Sequence, residues 1–157
     1  MDSTLIPGIA GRLLARKQWL ATAESCTGGL IAQLLTSIAG SSEWFERGVV
    51  TYSNRAKVEL LGVPQKVLDR SGAVSRECAE AMARGLLQQA PVQWAVSVTG
   101  IAGPGGGSKD KPVGTVWIGV AQAGAVEARH FLFSGDRESI RRQSAEAALA
   151  MLDAALA

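Results

Sequence analysis

The chain has 157 residues, of which 47% are hydrophobic and 19% are charged, and this size and composition are typical of one compact domain whose core needs no disulfide. Its net charge of +2 is too small to indicate a nucleic-acid surface. Because the chain has two distant cysteines and one histidine, we expect neither a disulfide framework nor a metal site formed by protein side chains alone. We therefore expect one domain over residues 1–157, with no metal and no cofactor.

The first third of the chain predicts a helix, a strand and a second helix. Apolar residues recur at helical spacing from Leu5 to Lys17, and the segment WLATAES that follows is typical of a buried strand ending near Ser25. Gly28 and Gly29 then lead into a segment whose apolar residues lie on one side of a helix. A polar turn thus separates this strand from this helix.

The next segments predict a second strand and two further helices. FERGVVTYS is rich in β-branched and aromatic residues and indicates a strand ending near Ser53. Asn54 is a candidate N-cap of a helix that ends at Gly62 and Pro64, and Ser75 is the candidate N-cap of the helix after it.

The last segments predict a third strand, a hairpin and a long C-terminal helix. QWAVSVTG is the strand, and it continues into the glycine- and proline-rich loop IAGPGGGSKDKP. VGTVWIGVAQ and VEARHFLF flank a short turn as a hairpin, and the segment from SGDRESIRRQ onward is helical. Helices between strands predict an α/β fold, a three-layer α/β/α sandwich with a mixed central sheet.

In such folds ligands bind beyond the carboxyl ends of the strands. The segments ESCTGG, YSNRAK and TGIAGPGGG each follow a predicted strand, so we expect them to meet at one edge of the sheet. The glycine loop does not satisfy the Walker pattern, because Ser108 precedes Lys109, and it does not satisfy GxGxxG either. A Ser-His-Asp site would depend on His130, in the middle of a predicted strand, and no GxSxG segment is present.

An amide hydrolase without a metal needs a nucleophile, a base and donors for the oxyanion. Ser25 stands between a strand and a helix, where it is either a nucleophile or simply an N-cap. The amides of Thr27, Gly28 and Gly29 are candidate oxyanion donors. Cys26 is a weaker candidate nucleophile, since a small buried cysteine is the commoner role.

Lys57 is the candidate base, because a position in the first turn of a helix lowers the pKa of an ammonium group. The alternative is an ordinary solvated lysine on a helix surface. Tyr52 lies just before that helix and could relay a proton or orient Lys57. Arg141 and Arg142 suit a phosphate through bidentate contacts, or are exposed surface arginines.

Five segments of the chain carry a resemblance to a known family: TAESCTGGLIA, GSSEWFERGVVTYSNRAKVELLGV, GAVS, VSVTGIAGPGGGS and KPVGTVWIG. In this order and over nearly the whole chain, they resemble the CinA C-terminal domain family. The resemblance implies a metal-independent amidohydrolase that converts the carboxamide of nicotinamide mononucleotide to nicotinate mononucleotide and ammonia. It implies a serine/lysine dyad, which matches Ser25 and Lys57 here.

The resemblance also implies supporting residues for the substrate. These are Tyr52 beside the lysine, Ser42 in GSSEWF, Thr99 and Gly103 in VTGIAGP, and an arginine of GDRESIRRQ, either Arg141 or Arg142, for the phosphate. The expected partner is a small-molecule nucleotide, homodimers are expected from the family, and the residues give no support for nucleic-acid binding. The alternative is a catalytically silent nucleotide-binding or regulatory module of the competence- and damage-inducible type.

The sequence contains neither a signal peptide nor an apolar run of the ~18 residues that a membrane span needs. We therefore expect a cytoplasmic protein without a membrane partner.

Overall fold

The structure is a computed structural model that describes residues 1–157, and its centre is one five-stranded sheet. The strands are β1 (Leu20–Glu24), β2 (Phe45–Val50), β3 (Trp94–Gly100), β4 (Thr115–Gln122) and β5 (Ala125–Leu132). Across the sheet they stand in the order β2-β1-β3-β4-β5. β1 pairs in parallel with β2 and β3, whereas β4 is antiparallel to β3 and β5. The predicted mixed sheet is confirmed.

Helices cover both faces of this sheet. They are α1 (Leu5–Arg16), α2 (Leu30–Thr36), α3 (Asn54–Leu61), α4 (Gln65–Ser71), α5 (Arg76–Gln89) and α6 (Arg137–Leu156), with a 3-10 turn at Ser41–Glu43. None of the helices combines the length and the apolar character that crossing a bilayer requires.

Two apolar clusters form the core, one on each face of the sheet. The larger contains side chains of α1, α2 and α6, and the smaller contains side chains of α3, α4 and α5. The alternation of strand side chains divides β3 between them, since Val96 and Val98 belong to the larger cluster and Ala95 to the smaller. The three-layer α/β/α arrangement follows from this division.

The segment around α3 differs from the prediction in two details. The N-cap of α3 is Ser53, whose hydroxyl accepts a hydrogen bond from the amide of Ala56, so the assignment of that cap to Asn54 was wrong by one residue. Helix α4 was not predicted. Pro64, which cannot continue α3, itself occupies the N-cap position of α4 in an extended conformation. The expected cap at Ser75 is confirmed, because its hydroxyl accepts from the amide of Cys78 at 3.1 Å.

The carboxyl ends of β1, β2 and β3 share one edge, because these three strands run in the same direction. The turn after β1, the segment that joins β2 to α3, and the glycine loop after β3 therefore lie together there. A cleft opens at this edge, lined by residues from all three segments and by one residue of α6.

Candidate active site

The cleft at this edge has a volume of about 230 Å³. Hollows of about 410 and 430 Å³ occur near Gln122, at the opposite edge of the sheet, where β1 and β3 begin. Those larger hollows are lined by exposed polar residues and apolar side chains, whereas this cleft contains the buried amine of Lys57 and the hydroxyl of Ser25. Chemistry rather than size therefore distinguishes the candidate site.

Ser25 and Lys57 are in hydrogen-bond contact, with 2.9 Å between Oγ and Nζ. Ser25 is the first residue after β1, and Lys57 lies in the first turn of α3. The Lys57 side-chain nitrogen also donates to the carbonyl oxygens of Thr51, at 2.8 Å, and Tyr52, at 3.2 Å. Since Lys57 is only 1% exposed, the alternative of a solvated surface lysine is wrong.

The environment of Lys57 favours its neutral form. Burial lowers the pKa of Lys57 below its ordinary value, and the nearby thiols of Cys78 and Cys26 oppose this effect more weakly. None of the ion pairs in the structure includes Lys57. A neutral amine at this position can donate two hydrogen bonds to the two carbonyl groups and direct its lone pair at the serine hydroxyl.

Ser25 is not the N-cap of the helix that follows it, because Gly29 occupies that position. The amide of Gly28 donates to the Ser25 carbonyl at 3.1 Å, so this predicted oxyanion donor is already used within the turn. The amides of Cys26, Thr27 and Gly29 have no carbonyl or carboxylate acceptor in the structure. Cys26 lines the cleft, whereas Thr27, Gly28 and Gly29 do not.

The other candidate nucleophile and base have unsuitable environments. Burial raises the pKa of the Cys26 thiol to about 11, so the thiol is protonated at neutral pH. His130 is exposed on β5, three strands away from β1, where its ring is tilted by 35° against that of Trp117, with 5.0 Å between the ring centroids. Neither residue can replace the pair formed by Ser25 and Lys57.

Tyr52 contacts Lys57 through its main-chain carbonyl and not through its phenol. Its side chain is 62% exposed, and its hydroxyl accepts a hydrogen bond from Nη2 of Arg137 at 3.2 Å. Arg137 also donates through Nη1 to the carbonyl of Gly103 at 2.7 Å, and it lines the cleft. The predicted proton relay through the Tyr52 phenol has no contact that would support it.

Arg137 is the arginine of GDRESIRRQ that faces the cleft, and the sequence had singled out its neighbours instead. Arg141 donates to the carbonyl groups of Cys26 and Thr27, and Arg142 lies on the surface 3.7 Å from Glu138. The sequence indicated the adjacent pair Arg141 and Arg142, but the arginine that faces the cleft is Arg137, the first residue of α6 after its N-cap Asp136. Its place at the helix start was the signal that could have identified it.

The remaining predicted residues divide between the cleft and the rest of the chain. Thr99 lines the cleft and donates through Oγ1 to the carbonyl of Ala73 at 2.9 Å. Ser42 is exposed in the 3-10 turn before β2. The six residues of β2 separate it from the cleft by about 20 Å, at ~3.3 Å per strand residue. A single chain therefore does not bring Ser42 to Ser25.

Comparison with known proteins identifies the family. Residues 2–156 match the model of the CinA C-terminal domain. The chain belongs to the CinA C-terminal domain family. Two CinA-superfamily structures superpose on it closely. The competence damage-inducible protein A of Klebsiella pneumoniae has a TM-score of 0.93 and 39% identity, and the match covers 97% of this chain and 94% of that one. CihA of Agrobacterium tumefaciens has a TM-score of 0.90 and 44% identity, and the match covers 99% of this chain and 98% of that one.

Relatives of this CinA domain carry different names. Nicotinamide-nucleotide amidohydrolase PncC of Enterobacter agglomerans is 56% identical over 87% of this chain and 84% of its own length. The PncC protein of Escherichia coli is 53% identical over 89% of this chain and 86% of its own length. A CinA-like protein of Syntrophotalea carbinolica is 50% identical over 96% of this chain, but over only 37% of its own length. In the longer protein the domain is one part of a larger chain.

Proposed function

We propose that this CinA domain hydrolyses the carboxamide of nicotinamide mononucleotide to nicotinate mononucleotide and ammonia, with Ser25 as the nucleophile and Lys57 as the base. The observation that carries the proposal is the 2.9 Å contact between Ser25 Oγ and a buried Lys57 amine whose pKa is lowered by desolvation. The names of relatives more than 50% identical over most of their length support the choice of substrate.

In the first step neutral Lys57 accepts the hydroxyl proton of Ser25, and Oγ attacks the carboxamide carbon. The amide of Cys26, which has no main-chain acceptor and belongs to the cleft lining, is the donor best placed for the resulting oxyanion, since the amide that follows a nucleophile commonly has this role. The Lys57 ammonium then returns the proton to the amide nitrogen, the carbon–nitrogen bond breaks and ammonia leaves. Water, deprotonated by Lys57, hydrolyses the acyl-enzyme and regenerates Ser25.

Arg137 is the residue we assign to the phosphate. Its guanidinium group lines the cleft beside Asn54 and is held by Gly103 and Tyr52. A guanidinium group binds phosphate oxygens in a bidentate manner. Tyr52 thus serves the site by orienting this arginine, in place of the proton relay predicted from the sequence.

One observation favours a second candidate function, a nucleotide-binding module without catalysis. The three oxygens around Lys57 Nζ, from Ser25, Thr51 and Tyr52, equally suit the three donors of an ammonium group. A lysine held in its charged form would keep Ser25 protonated and the site silent. Both functions predict nucleotide binding, but only the first predicts ammonia release.

The deciding experiment measures ammonia release from nicotinamide mononucleotide by the wild-type protein and by Ser25→Ala. We expect the variant to lose activity by about 10³-fold or more, because the covalent route is removed, while calorimetry shows that the nucleotide still binds. Ser37→Ala is the matched control, since that hydroxyl is exposed and bonds only to Leu34 of its own helix. Binding without ammonia release by the wild-type protein would identify the silent module instead.

A further inference from the structure

The turn that carries Ser25, residues 25–29, is held from two sides by charged groups that do not line the cleft. Glu24 contacts it from the interior and Arg141 from the C-terminal helix α6. We propose that Glu24 and Arg141 are positioning residues that fix this turn so that Ser25 and the Cys26 amide, the oxyanion donor, are held at the cleft. The inference rests on the proposed function and deepens it.

Glu24 is a carboxylate that is only 1% exposed. One of its oxygens accepts from the hydroxyl of Thr27 at 2.6 Å and the amide of Ile31 at 2.9 Å, and the other accepts from the amide of Ala32 at 3.0 Å. A buried carboxylate is tolerated only when such bonds satisfy it. All three partners belong to the turn and to the first turn of α2, so Glu24 ties the two together.

Arg141 holds the outer side of the same turn. Its Nε donates to the carbonyl of Cys26 at 3.1 Å, and its Nη2 donates to the carbonyl of Thr27 at 3.0 Å. Gly28 lies directly beneath the guanidinium group, because a Cβ atom at that glycine would come within 3.3 Å of Nη2. These contacts direct Arg141 into the protein, and they distinguish it from Arg137, one helical turn earlier, which lines the cleft.

The geometry of the peptide bond connects this contact to catalysis. In a planar trans peptide the carbonyl and the amide N–H point in opposite directions. The carbonyl of Ser25 shares its peptide plane with the amide of Cys26 and accepts from the amide of Gly28 at 3.1 Å, so the turn that Arg141 holds also sets the direction of the Cys26 N–H. Hydrogen bonding at the carbonyl also polarises the peptide and makes its N–H a stronger donor. The Cys26 amide lies in the cleft lining and is one of three in the turn, with those of Thr27 and Gly29, that have no main-chain acceptor.

The test compares Arg141→Gln with Arg142→Gln, an adjacent and exposed arginine on the same helix. Two quantities are measured: kcat and KM for ammonia release, and hydrogen–deuterium exchange of the peptide that covers residues 22–32. For Arg141→Gln we expect kcat to fall about 10- to 100-fold, KM to stay within about twofold, and exchange in the turn to increase. Arg142→Gln should change none of these, and Arg141→Lys, which keeps a charged donor, should recover part of the lost kcat.

Two outcomes would overturn the inference. A raised KM with unchanged kcat would mean that Arg141 binds the substrate, and unchanged exchange in Arg141→Gln would mean that it does not hold the turn. Glu24→Gln is the second variant, and it should change kcat and exchange in the same directions, because an amide NH2 would face the Ala32 amide. If the wild-type protein releases no ammonia, the proposed function is rejected, and increased exchange in Arg141→Gln would still support the clamp on the turn.

Discussion

At the scale of single residues, the environment of Lys57 determines whether the site is catalytic. Its amine is buried, has no carboxylate partner and has a lowered pKa. A lysine in water is protonated at neutral pH and cannot act as a base. The same residue type therefore has opposite roles on a helix surface and in this cleft.

The pH dependence of catalysis follows from that environment. Because only neutral Lys57 accepts the serine proton, kcat/KM should rise with pH through the lowered pKa of Lys57 and then become constant. Lys57→Arg should be nearly inactive at every pH, since a guanidinium group stays protonated. Ammonia release measured over a pH series from neutral to alkaline tests both statements.

Lys66→Arg, at an exposed position on α4, is the control for exchanging a lysine for an arginine. A rate that is independent of pH, or an arginine variant with wild-type activity, would remove Lys57 from the mechanism.

Sequence patterns located the two central residues but not the residues that support them. Ser25 and Lys57 were identifiable because each follows a predicted strand at the same sheet edge. Glu24 could not be interpreted, since its partners are backbone amides of α2 that no sequence pattern displays. Arg137 and Arg141 could not be assigned, because the rotation of α6 about its axis decides which arginine lines the cleft and which holds the turn.

At the scale of elements, α3 is placed by its close approach to α5. Gly85 of α5 lies against the last turn of α3, and a Cβ atom there would come within 1.8 Å of the Leu61 carbonyl oxygen. Since α3 carries Lys57, the spacing of these two helices also sets the position of its amine.

Gly85→Ala should therefore displace α3 and lower the free energy of unfolding by about 1–3 kcal/mol, as overpacked sites do. Gly11→Ala is the matched control, because Gly11 also lies in a helix but has no atom within 4 Å of the place that a Cβ atom would occupy. That control should raise stability by about 0.4–1 kcal/mol. Urea denaturation measures both, and a neutral effect of Gly85→Ala would contradict the close approach.

Elements were predictable where a periodic apolar pattern was long enough to read. The buried strands, the hairpin and α6 were found in this way, and their existence is confirmed. Helix α4 was missed because only Val67 and Leu68 are apolar among its seven residues, which is too few to display a helical period, and Pro64 indicated only the end of α3. The exact cap of α3 was missed because Ser53 and Asn54 are both good capping residues.

At the scale of the whole molecule, the site is assembled from parts that are distant in sequence. Ser25 follows β1, Lys57 lies on α3, and Arg137 begins α6, so the cleft exists only when both faces of the sheet are packed. The whole fold thus supplies the free energy that keeps an amine out of water. That cost should be visible in the stability of the protein.

The stability of the wild-type protein relative to Lys57→Met should therefore increase with pH. The pKa of Lys57 is lowered in the folded state, whereas the unfolded chain has the ordinary lysine value of about 10.4. Between these two pKa values the unfolded state binds more protons, so the free energy of unfolding rises with pH. Below the folded pKa both states are protonated and the difference between the two proteins is constant.

Urea denaturation of both proteins from neutral to alkaline pH measures this difference, and other titrating groups cancel because they are common to both. Lys66→Met controls for the loss of a positive charge at an exposed position. The pH at which the difference begins to rise should coincide with the pKa seen in kcat/KM, because the same amine determines both quantities. A difference that stays constant or decreases with pH would show that the folded protein does not destabilise the ammonium form of Lys57.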